Sequence, residues 1–338
     1  MVADGQRPPI DKACGEGLMP DGLAALERLG VRVRLSDAHP FRGIRFVGLH
    51  SSAEALFPSN GLGLAVRRTS LHRIIAERAE HLGTELRWGT SINGISSEGV
   101  WVGKQFVRAR WIVGADGSNS RVRRWAGLDF RRPRMRYAFR RHYRLAPWTD
   151  HMEVHWGKRC QGYATAVARN EVCVALASHD ASLRVESGLC ELPALSARLR
   201  GAETVSEERG ALTGNRQFAN ISRGNVALIG DAAGTVDAIT GEGLGLAFSQ
   251  AAYLAQAFES GDLSCYQREH RKLMVRPRFM ARLMLTLDGR PRLQDRTLQT
   301  FAKYPEVFRR LLALHVGALP PLDLVRDGIM LGWGLLTA

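Results

Sequence analysis

The chain has 338 residues, enough for one large domain or two ordinary ones, and its 45% hydrophobic and 24% charged residues are those of a globular protein. Its net charge is +14 and its pI about 10.3, yet five lysines (Lys12, Lys104, Lys158, Lys272, Lys303) leave 42 of the 47 basic residues as arginine, spread along the chain with small knots at Arg121–Arg124, Arg131-Arg132 and Arg140-Arg141. No tract forms a basic arm, so nucleic acid is not an expected partner. Five cysteines (Cys14, Cys160, Cys173, Cys190, Cys265) with no Cys-x-x-Cys pair argue against a disulfide framework or zinc knuckle and for a reducing compartment; no metal site is expected.

The first thirty residues hold no evident strand. A polar, proline-rich stretch from Asp4 to Lys12 leads through Cys14-Gly-Glu-Gly-Leu-Met-Pro to a helix at 21–29 that closes at Gly30. Residues 44–49 alternate weakly, as a strand does. From Leu71 to Leu82 an apolar stripe predicts a helix ended by Gly83, with Thr69 or Ser70 able to cap it. Short strands follow at 85–88, 100–102, 105–108 and 111–113, the middle two forming a hairpin around Gly103-Lys104.

Residues 137–178 form the most strand-like region, four segments with turns near Trp148, Gly157 and Asn170. Within it, His151, Glu153 and His155 share one face by the two-residue period, and Met152, Val154 and Trp156 share the other. The polar face reads as a pocket lining or a solvent face, because ligands one strand repeat apart do not converge on one ion. Those residues, or Tyr163, are candidate substrate contacts. Long helices return after Glu242, with breaks expected at Pro277, Pro291, Pro305 and Pro320.

The strongest signal is Asn225–Phe248. A short apolar strand ends at Gly230-Asp231, a glycine-punctuated loop follows, and a helix opens after Gly241-Glu242-Gly243-Leu244. Such a junction aims backbone N–H groups and a positive helix end at one spot, where phosphate or carbonyl groups bind. With Trp111–Ser118, a strand ending in Gly-Ala-Asp116-Gly, this run resembles the flavin motifs of FAD-dependent oxidoreductases of the aromatic-hydroxylase and geranylgeranyl-reductase superfamily.

The resemblance implies FAD as cofactor and NAD(P)H as electron donor. It assigns Asp231, next to Gly230, to the ribityl chain, and Gly241, Glu242, Gly243 and Leu244 to the isoalloxazine. Asp116 falls near the pyrophosphate, and Arg68, by spacing from Leu71, at the phosphates, with Arg67 as its neighbour. Cys14, Gly15 and Glu16 match the Cys-Gly-Glu-Gly loop of the geranylgeranyl-reductase branch. No residue is singled out as acid or base.

The implied fold is α/β: a Rossmann-like FAD/NAD(P)-binding domain, N-terminally truncated, with an inserted antiparallel β-sheet substrate domain and a C-terminal helical tail. The expected division assigns 1–35, 65–130 and 210–270 to the cofactor, 36–64 and 131–209 to the substrate, and 271–338 to the tail. No G-x-G-x-x-G occurs, so the chain reads as a relative without the first strand and helix. Beside a monooxygenase or isoprenoid-type alkene reductase acting on an apolar or aromatic small molecule stands a second expectation, a flavin-poor remnant or binding protein. No apolar leader is visible, and the uncharged stretches 311–322 and 328–338 fall short of the roughly 18 residues that span a bilayer. A cytoplasmic protein is expected, with peripheral membrane contact left open and no oligomeric state implied.

Overall fold

The computed structural model describes residues 1–128 and 135–320; the Arg131-Arg132 knot and the 328–338 stretch lie outside them. In chain order, strands Val2–Asp4 (β1) and Gly17–Leu18 (β2) precede helix Pro20–Arg28 (α1), which ends at Gly30 with φ +72°. Strands Ala38–Phe41 (β3), Gly43–Val47 (β4), Ser52–Leu56 (β5) and Gly63–Val66 (β6) lead to helix Arg68–His81 (α2). Strand Leu86–Trp88 (β7) and the meander Ile92–Ser96 (β8), Gly99–Val102 (β9) and Gln105–Arg108 (β10) follow, then Ile112–Gly114 (β11) and helix Arg121–Trp125 (α3).

Next come Arg136–Arg144 (β12), His151–Trp156 (β13), Cys160–Ala168 (β14) and Glu171–Ser178 (β15), helices Val185–Leu189 (α4) and Pro193–Leu199 (α5), and strands Glu203–Thr204 (β16), Arg209–Thr213 (β17), Ser222–Arg223 (β18) and Val226–Leu228 (β19). The described chain closes on helices Gly243–Ser260 (α6), Leu263–Leu273 (α7), Val275–Leu287 (α8), Pro291–Lys303 (α9) and Pro305–His315 (α10).

Two parallel pairs, β1 with β7 and β11 with β19, stand in sheets separate from the large one. The strand at Val2–Asp4 corrects the expectation of none in the first thirty residues: three residues carry too little alternation to read, and pairing with β7 defines them. The large sheet runs β16-β12-β15-β14-β13-β4-β5, with β17 also on β12. It is mixed rather than wholly antiparallel, because β4 joins β13 in parallel and brings the chain's early residues into the 151–156 strand.

One face of this sheet packs Ile44, Phe46, Val154 and Trp156 against Leu298, Phe301, Phe308 and Leu312 of α9 and α10. Its other face buries Val174, Leu176 and Tyr143 under Leu189, Leu192 and Leu195. A separate core joins β11 and β19 to α6 and α7.

The helix breaks fall at Gly261, Met274, Pro291 and Pro305. Pro277, expected to end a helix, sits instead in the first turn of α8, where no amide partner is lost.

Candidate functional site

The Asn225–Phe248 run folds as a strand, a glycine-punctuated loop and a helix because glycines stand where the backbone turns through positive φ. Gly230 and Gly241 adopt φ of +57° and +68°. Between them Asp237 accepts from the Ile239 N–H at 3.0 Å and from the buried Arg136 guanidinium at 2.8 Å. Arg136 also reaches Asp288 at 3.2 Å, so a desolvated cation ties the loop to the large sheet and to the end of α8. Helix α6 then starts with no side-chain cap, which leaves its first amides for another partner. Gly245 lies so close to Gly22 that a Cβ would come within 2.9 Å of its Cα, whereas a Cβ on Gly243 would meet nothing.

These open amides border a cavity of about 470 Å³. At its polar end are Lys12, Cys14, Gly15, Glu16, Arg68, Gly230, Asp231, Gly241, Gly243 and Leu244. At its apolar end Ile44, Phe46, Met152, Val154, Trp156 and Tyr163 of the sheet face Met280, Leu283, Phe301, Phe308 and Leu311 of the tail helices. The donor set fits the flavin end of FAD: uncapped amides and a cradle at Gly243 that a Cβ would fill. Asp231 is open to the cavity yet crowded by protein, and that burial raises its carboxyl above the usual range, with Lys12 and Arg216 opposing.

The two adjacent arginines separate. Arg67 pairs with Glu171 at 2.6 Å, while the Arg68 guanidinium borders the cavity with no protein partner among the described residues. Neither Thr69 nor Ser70 caps α2. The Arg68 N–H instead donates to Glu16 Oε1 at 2.8 Å, a cap supplied from 52 residues away. Glu16 holds φ of 60°, and its Oε2 accepts from His142 Nε2 at 2.7 Å. Because the Arg140 guanidinium can only donate to His142 Nδ1, the ring's proton sits on Nε2.

Glu16, His142 and Cys173 bring three ligand-type atoms within 4.8 Å. Two ligands of one ion bound at about 2.0–2.2 Å lie roughly 3.3 Å apart, so the 2.7 Å contact is a hydrogen bond and the cluster a proton-ordered network. Burial pushes the thiols of Cys14 and Cys173 up, which keeps both protonated near neutrality.

Two expected cofactor contacts lie off the cavity. Asp116 accepts from the Arg121 and Val122 amides at 2.7 and 3.1 Å and thereby caps α3, leaving Ala115 and Gly117 of its turn at the wall. The Glu242 side chain turns away toward a second cavity of about 250 Å³. The His151–Glu153–His155 face does not border the cavity either: Glu153 is engaged by His155 at 2.9 Å, Trp148 at 3.0 Å and Arg45 at 3.3 Å. The opposite face of that strand lines the cavity, and Tyr163, the other named residue, does border it.

Four residues were not foreseen. Asp4 ends parallel strand β1, at the carboxyl edge where open α/β sheets bind their ligands; a Val-Ala-Asp triplet was the available signal. Lys12, His142 and His315 carry no local pattern.

Residues 58–143 match the FAD binding domain family. The chain is similar to menaquinone reductase of Mycolicibacterium smegmatis, 27% identical over 293 residues that cover 79% of this chain and 72% of that protein. Its fold is that of a flavoprotein/dehydrogenase from Cytophaga hutchinsonii, with a TM-score of 0.81 at 16% identity over 99% of this chain and 91% of the other. A geranylgeranyl bacteriochlorophyll reductase-like protein of Thermoplasma acidophilum aligns with a TM-score of 0.70 at 18% identity over 93% and 92% of the two chains. Among the described residues no helix is long and apolar enough to cross a membrane.

Proposed function

We propose that the chain is an FAD-dependent oxidoreductase of the aromatic-hydroxylase and geranylgeranyl-reductase superfamily and that it reduces an apolar small molecule, a quinone or an isoprenoid-type alkene, with NAD(P)H as electron donor; its similarity to the FAD binding domain family and to menaquinone reductase supports this reading. The observation that carries this reading is the cavity: polar loops at one end and a wall of Ile44, Phe46, Met152, Val154, Trp156 and Phe308 at the other. Bound FAD supplies hydride chemistry at its ring.

The protein's share is positioning and exclusion of water. Arg68 and Lys12 would offer charge to the phosphates, Asp231 would accept from the ribityl hydroxyls, and the amides of Gly243 and Leu244 would serve the ring carbonyls. Asp4 would hold the adenosine ribose. Cys14, a neutral thiol, would border the cofactor rather than attack substrate. Apolar side chains of the sheet and tail helices keep water from the reacting face. In this reading residues 1–35, 65–130 and 210–270 serve the cofactor and 36–64 with 131–209 the substrate. Exposed Val275 and Phe279 on α8, one to three residues from Arg276 and Arg278, support peripheral contact with a membrane that supplies an apolar substrate from the cytoplasmic side.

Anaerobic mixing tests the assignment. FAD-loaded protein is bleached with NADH or NADPH, then offered a menaquinone-type quinone or a polyprenyl alkene. Flavin reoxidation with a product that has gained two hydrogens is expected. Reoxidation only by oxygen, with a hydroxylated product, contradicts the reductive reading and favours a monooxygenase.

A further inference from the structure

Helix α8 is apolar on two sides. Met280, Leu283, Met284 and Leu287 line the large cavity. On the outer side Val275, Phe279, Arg282 and Thr286 recur at helical spacing and are exposed, Val275 at 60% and Phe279 at 51%. A phenyl ring and an isopropyl group one turn apart thus stand in water, where apolar area is costly.

This stripe is set in positive charge. Residues 268–296 carry nine basic side chains against three acidic ones, Glu269, Asp288 and Asp295. Glu269 is paired with Lys272, and Asp288 with the buried Arg136, so neither offsets the arginines beside the stripe. Arg278, Arg282, Arg290 and Arg292 have no carboxylate partner among the described residues. Burial and the neighbouring Arg282 push the Arg278 guanidinium below its ordinary range, as befits a cation short of a counter-ion.

We infer that the Val275–Phe279–Arg282 face of α8, with the arginines around it, docks the protein on an anionic lipid surface. Phe279 and Val275 enter the headgroup boundary, and the guanidinium groups meet lipid phosphates. A neutral bilayer leaves those cations unmatched. An acidic soluble protein matches the charge, but only a bilayer also holds apolar molecules of the kind that suit the inner face of the same helix. Lying along the surface, α8 has 13 residues and is about 20 Å long, and the cavity wall stands one helix diameter, about 10 Å, from the lipid. This surface rests on the reading above that the substrate is apolar, and vesicle binding is read without substrate or turnover, so the two fail separately.

Flotation of the full chain with vesicles of phosphatidylcholine alone, or mixed with phosphatidylglycerol, tests the surface. Binding to the mixed vesicles only, weakened by salt, is expected. Phe279→Ser should weaken it about tenfold or more, and Arg282→Gln combined with Arg290→Gln roughly 20-fold. In Phe279→Trp, brominated acyl chains should quench emission beyond their effect on wild type. No flotation, equal flotation with neutral vesicles, or Phe279→Ser floating as wild type does overturns the docking surface. Self-association lost in Phe279→Ser, or retention on duplex DNA, in either case without flotation, assigns the face to a second copy or to nucleic acid and overturns it as well.

Discussion

Glu16 accepts the backbone N–H of Arg68 at 2.8 Å, so one carboxylate fastens the Cys14 loop to the first turn of α2 and leaves the neighbouring guanidinium facing the cavity. The same carboxylate accepts from His142 at 2.7 Å. Removing it by Glu16→Ala deletes a helix cap and strands a buried imidazole N–H, an expected loss of about 2–4 kcal/mol. Glu16→Gly, which relaxes the φ of 60°, should lose less. Urea unfolding of the two variants gives the comparison.

Arg67 and Arg68 should separate in the same way when each is replaced. Arg68→Ala loses a charge-assisted contact worth about 1.5–3 kcal/mol, so FAD affinity should fall roughly 10- to 100-fold. Arg67→Ala removes only the partly exposed pair with Glu171, at most about 1 kcal/mol of stability, and leaves affinity unchanged. Flavin titration and thermal melts read both.

Arg136 tests the clamp beneath the cofactor loop. It is 1% exposed between Asp237 and Asp288, so Arg136→Met leaves two carboxylates without their cation and should cost about 3–5 kcal/mol. Arg136→Lys should rescue little, because one ammonium does not reproduce two divergent guanidinium contacts. Chemical denaturation checks the ranking.

His270 sets an acid limit. Burial, with Arg278 and Arg271 nearby, lowers its pKa to about 4. The unfolded chain therefore binds the proton first, and stability present above about pH 6.5 is lost as pH falls toward 4, by up to about 3 kcal/mol. Unfolding measured across that window should flatten in His270→Gln.

Local chemistry was legible and remote pairing was not. The four strands of 137–178 alternate, and their turns at Trp148, Gly157 and Asn170 lie within a few residues of the observed ends. The junction at Gly230-Asp231 and Gly241–Leu244 was readable because strand, turn and helix adjoin in sequence. Which face of the 151–156 strand meets the cavity was not, since period two defines the faces and only packing against α9 and α10 chooses between them. The Glu16–His142 contact joins residues 126 apart and Glu242–His315 joins the cofactor loop to the last helix, separations that no motif spans.

Gly243 offers the most direct test of the site. A Cβ there meets no protein atom, the residue borders the cavity proposed for the flavin, and alanine suits the first turn of a helix better than glycine does. Titrating FAD into wild type and Gly243→Ala, with a melt of each, should show flavin uptake by wild type, at least about tenfold weaker uptake by the variant, and a variant melting temperature equal or higher. Equal FAD affinity in the two, or no flavin bound by wild type at all, would contradict the placement of the cofactor at this junction.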